Sequence, residues 1–173
     1  ASEENNDNGR QFLENAIKEM KDENEKIINS GVVSDLKDIV QFYQPSFREI
    51  EPILSYFSII NNMSGSISYP DNYQHMIAMV CYLKACKPDC LKPVGGIVNY
   101  KNIIEAARLN EFVSNQQYHS LWKINKLVQF ESADENTRKK MLVEKEMQMD
   151  KFGRPPKNMI KEICSWLSEI SSS

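Results

Sequence analysis

The sequence predicts an all-α fold, a single domain built as an irregular bundle of about seven to eight helices. Apolar residues recur at helical spacing in nearly every segment. Serine-led capping patterns punctuate the second half. No run alternates apolar and polar residues as a half-buried strand would. At 173 residues the chain suits one domain with a sizeable core.

The elements follow in order. Residues 1–9 are polar, acidic and free of large apolar side chains, and read as a disordered tail before a helical domain over 10–170. Phe12, Leu13, Ala16, Ile17, Met20, Ile27 and Ile28 form one stripe, with Gly31 where a left-handed cap would end the helix. Leu36, Ile39, Val40 and Tyr43 mark a second helix, stopped by Pro45. A third runs through Phe47, Ile50, Ile53, Leu54, Phe57 and Ile60, with Pro52 expected to kink it or to open a separate helix.

Residues 61–70 read as a loop. The fourth helix then places Tyr73, Met76, Met79, Val80 and Leu83 on one face, capped by Asp71 or Asn72. Two prolines and two glycines make 87–96 a hinge or long loop. Ile103, Ile104, Ala107 and Val113 give a fifth helix. Capping boxes at Ser114–Gln117 and Ser132–Glu135 open two more. The first of these buries Leu121, Trp122, Leu127 and Val128; the second is mostly polar, with Met141, Leu142 and Phe152 as its apolar points. After the Gly153-Arg154-Pro155-Pro156 turn, Met159, Ile160, Ile163, Cys164, Trp166, Leu167 and Ile170 make the last helix amphipathic.

Charge is unevenly placed. Residues 1–27 hold eight Asp or Glu against four Lys or Arg, and residues 137–161 hold eight Lys or Arg against three Asp or Glu. Mixed-sign charge of this kind most often marks a solvated helix face. A pI of about 5.5 argues against bulk nucleic-acid binding. No apolar run approaches the roughly 18 residues a membrane span needs.

The sequence holds no catalytic, cofactor or metal pattern. His75, Cys81, Cys86, Asp89 and Cys90 form the densest cluster of ligand-type residues. On a helix Cys81 and Cys86 diverge by roughly 140°, so no zinc pairing results. Each of the two histidines sits among apolar neighbours, where a structural role is expected. Val94-Gly95-Gly96 lacks the spacing of a phosphate loop. Unsystematic cysteine spacing implies reduced thiols and an intracellular protein, while the Asn62-Met63-Ser64 glycosylation pattern keeps a secreted one open.

The weight therefore falls on binding: a non-enzymatic adaptor or scaffold module with a protein partner. Candidate contacts are Trp166, Ile163, Leu167 and Ile170, although this face is expected to dock on the domain itself. The alternative is an RNA-binding, nucleocapsid-like protein using Arg48, Arg138, Lys139, Lys140, Arg154 and Lys157. Two short stretches carry resemblances. Leu36-Lys37-Asp38-Ile39-Val40 and Gln44-Pro45-Ser46-Phe47-Arg48 resemble a segment of coat proteins of flexuous filamentous plant viruses, which implies an RNA-groove role for Arg48. His119-Ser120-Leu121, Gln129-Phe130-Glu131, Met147-Gln148 and Gly153-Arg154-Pro155-Pro156-Lys157 resemble the peroxisomal membrane-protein receptor, which implies a site for apolar client segments. The two are incompatible, and neither names a family.

Overall fold

The computed structural model describes residues 8–9, 11–18, 30–62, 71–114, 118–145, 147 and 160–168. The fold is all-α; among the described residues the named helices are α1 Ser30–Tyr43, α2 Phe47–Asn62, α3 Asp71–Cys86, α4 Tyr100–Ala106, α5 His119–Ser132, α6 Glu135–Val143 and α7 Ile160–Ser168. Residues 8–9 and 11–18 are helical as well. Of the tail expected to be disordered, 1–7 lie outside the described residues.

Helix α3 is the axis of the bundle. It packs against α1, α2, α5 and α7. Met76 to Leu83 are buried without interruption, and Met76, Met79, Val80, Cys81 and Leu83 have no exposed surface. The sequence pattern put one face of this helix in the core, but Ile77, Ala78, Cys81 and Tyr82 are buried too. A helix surrounded on all sides has no polar face to preserve, so its apolar residues need no stripe. Burying each large side chain contributes about 1.5–3 kcal/mol.

The outer helices each give one face to this core. Leu36, Ile39 and Val40 of α1 are buried, as are Ile50, Ile53, Leu54, Phe57 and Ile60 of α2. Leu13 and Ile17 join them from the N-terminal helical segment. From the other side come Leu121, Ile124, Leu127, Val128 and Phe130 of α5 and Ile160, Ile163 and Leu167 of α7.

Helix ends correct several expectations. Gly31 is helical, within α1, rather than a left-handed cap. α1 ends where Gln44 turns left-handed and its N–H bonds Val40 O, just before Pro45. α2 runs through Pro52 as one helix. It opens with one half of a capping box: Ser46 N–H donates to Glu49 Oε1 at 2.9 Å, which holds the Glu49 carboxyl below its usual range.

Val113 is 77% exposed beyond α4, which stops at Arg108 in a left-handed conformation. α5 begins after Tyr118, later than a Ser114 box would place it. Ser132 closes α5, its hydroxyl donating to Gln129 O. Asp134 caps α6 instead, accepting from Thr137 N–H at 2.7 Å. A short extended carboxylate directly before a helix outcompetes a serine two residues upstream.

In the segment read as a hinge, Pro88–Leu91 forms a 3-10 turn that buries Cys90. An antiparallel bridge then pairs Val94 with Ile97 across Gly95 and Gly96, at φ 60° and 76°. Two consecutive left-handed residues make the tight turn that glycine permits.

All-round burial of α3 has a direct test. Ile77→Ala and Met76→Ala should each destabilise by about 2–5 kcal/mol in denaturant unfolding. A near-neutral Ile77→Ala beside a costly Met76→Ala would mean that the far face of α3 is solvated.

Candidate functional site

Polar side chains are scarce inside this bundle, and the densest group sits where α1, α3 and α5 meet. Asp35 of α1 is 1% exposed. Its Oδ1 lies 2.6 Å from His75 Nδ1 on α3. With the proton on Nδ1 the imidazole donates to the carboxylate. The second oxygen, Asp35 Oδ2, is buried with no partner among the described residues. Removing the histidine would leave the buried carboxylate short of a donor, at a cost of about 1–3 kcal/mol.

One turn along α1, Asp38 serves a different end. Its carboxylate faces Ser120, in the first turn of α5. The residue before α5, Tyr118, is left-handed and offers no side-chain cap. Burial raises the Asp38 carboxyl above its usual range, outweighing the lowering influence of Ser120.

The second histidine borders the same region. His119 opens α5, exposed and stacked on Trp122 at 5.7 Å. Burial lowers its pKa, followed by repulsion from Lys123 and His75. Sequence spacing did not signal that the two histidines would converge, because they lie on helices 44 positions apart in the chain.

A second polar junction ties down α7. Glu131 of α5 is 3% exposed. Its two oxygens accept from Ile160 N–H, the first residue of α7, at 3.4 and 3.3 Å. Tyr100 of α4 donates to it at 3.3 Å, and burial, then this carboxylate, push the Tyr100 phenol up to about 12. The N-terminus of α7 is thus closed by a carboxylate from elsewhere in the fold.

The residues singled out for partner binding divide. Ile163 and Leu167 are fully buried in the core. The face of α7 expected to dock on the domain does so at these positions. The Trp166 side chain and all of Ile170 lie outside the described residues. Exposed apolar surface appears elsewhere: Phe12 (40% exposed) and Phe47 (53% exposed) lie ring to ring at 5.3 Å.

The basic candidates are dispersed. Arg48 is exposed at the start of α2. Arg138 turns back onto α5: Nε and Nη2 donate to the carbonyls of Phe130 and Glu131, and the guanidinium lies over the Phe130 ring. It closes the C-terminal end of α5, where cations are favoured. Lys139 and Lys140 pair with Glu135 and Glu144 one turn away. Arg154 and Lys157 lie outside the described residues.

The ligand-type cluster of the sequence is also divided among other partners. His75 holds Asp35, Asp89 pairs with Lys92 on the surface, and Cys86 lies near the Glu49 carboxylate, which helps raise its thiol. Among the described residues no group of three His, Cys, Asp or Glu could hold a metal ion. All four cysteines are free. Burial pushes the Cys86, Cys90 and Cys164 thiols up to about 12, 11 and 12, and Cys81 higher still. Such thiols are poor nucleophiles. No helix among the described residues is long and apolar enough to cross a membrane. Comparison with protein-family models, with curated proteins and with solved structures found no match.

Two measurements check this chemistry. In the native protein at mildly alkaline pH, all four thiols should react with a disulfide reagent far more slowly than in denaturant; rapid native labelling of any one would contradict the raised values. For His119, a depressed folded-state pKa favours the neutral ring, so its stabilising contribution is present above the ordinary imidazole range and lost as pH falls. His119→Gln should flatten the fall in melting temperature between about pH 7 and 5. An unchanged slope would show that His119 has no part in it.

Proposed function

We propose that this chain is a non-enzymatic α-helical interaction module, an adaptor or scaffold whose partner is another protein. The exposed Phe12–Phe47 pair carries this reading. Aromatic anchors concentrate binding energy at protein interfaces, and an outward-facing aromatic pair is what such a surface requires. The interior supports it from the other direction. Among the described residues Glu131 closes a helix start, Asp35 holds a histidine and burial raises the four thiols, which favours structural over catalytic roles for these groups.

The RNA-binding alternative gains less. Phosphate recognition needs free cations on one face. Of its candidates, Arg138 is engaged with α5 and Lys139 and Lys140 are matched by carboxylates. Free thiols fit a reducing compartment, which supports an intracellular reading.

Phe47→Glu tests the interaction role. A surface change of this kind should alter stability by no more than about 0.5 kcal/mol, with Val143→Ser, at an 80% exposed position, as the control. Partner capture from the native source, quantified against wild type, should fall at least tenfold for Phe47→Glu and persist in the control. Equal capture by all three proteins would contradict the assignment. So would an RNA affinity that falls steeply with salt in gel shifts.

A further inference from the structure

We draw no further inference here: the strongest candidate, the cluster of Asp35, Asp38, His75, Ser120 and His119 at the junction of α1, α3 and α5, carries nothing because its contacts join the helices to one another, and among the described residues no three of its ligand-type groups are placed to hold a metal ion.

Discussion

The architecture depends on the complete enclosure of α3. Four other helices pack against it, and its central two turns have almost no contact with solvent. Enclosure settles what the sequence of α3 can be. Met76, Met79 and Cys81 are adaptable, unbranched or small side chains that fill irregular gaps between several neighbours at once. It also fixes the outer helices, each of which must turn one apolar face inward and can leave the other to charge. The mixed-sign surface of α6, with its i,i+4 pairs, is the consequence at the periphery.

An enclosed helix creates a polar problem for the elements around it. Helices that end near the core leave backbone donors and acceptors that water cannot reach easily. Here those groups are matched across helices. Glu131 closes the start of α7 and Arg138 the end of α5, while Asn125 donates to Phe112 O and Tyr43 to Ala107 O. Each such bond contributes only about 0.5–1.5 kcal/mol net, but leaving its partner unmatched costs more. Buried polar groups in this fold thereby specify how helices meet. That assignment of roles is what turns the proposed function toward the surface, where aromatic rings are exposed, and away from chemistry in the interior.

Much of this was legible in the sequence, and the failures are physical. The stripe Leu36, Ile39, Val40 and the stripe Ile50, Ile53, Leu54, Phe57 identify α1 and α2 because each helix has one wet face. Ile77 and Cys81 escaped the same argument because α3 has none. Ser132 misled because a serine three residues before a glutamate matches the capping pattern, while Asp134 stood closer to the helix and won. The opposite error occurred at Ser46 and Glu49, a matching box whose signal was present and was overlooked. No local signal exists for Asp35 with His75 or for Glu131 with Ile160. These pairs are set by how helices distant in the chain cross, and spacing along one helix carries no record of that.

Native-state hydrogen exchange tests the central role of α3 most directly. Amides from Met79 to Leu83 should exchange only through global unfolding, with free energies equal to that of denaturant unfolding. Amides of α6, whose core contribution among its buried residues is Met141, should exchange through smaller openings. If α3 amides instead exchanged well below the global free energy while those of an outer helix set the upper limit, enclosure of α3 would not be what holds the fold together.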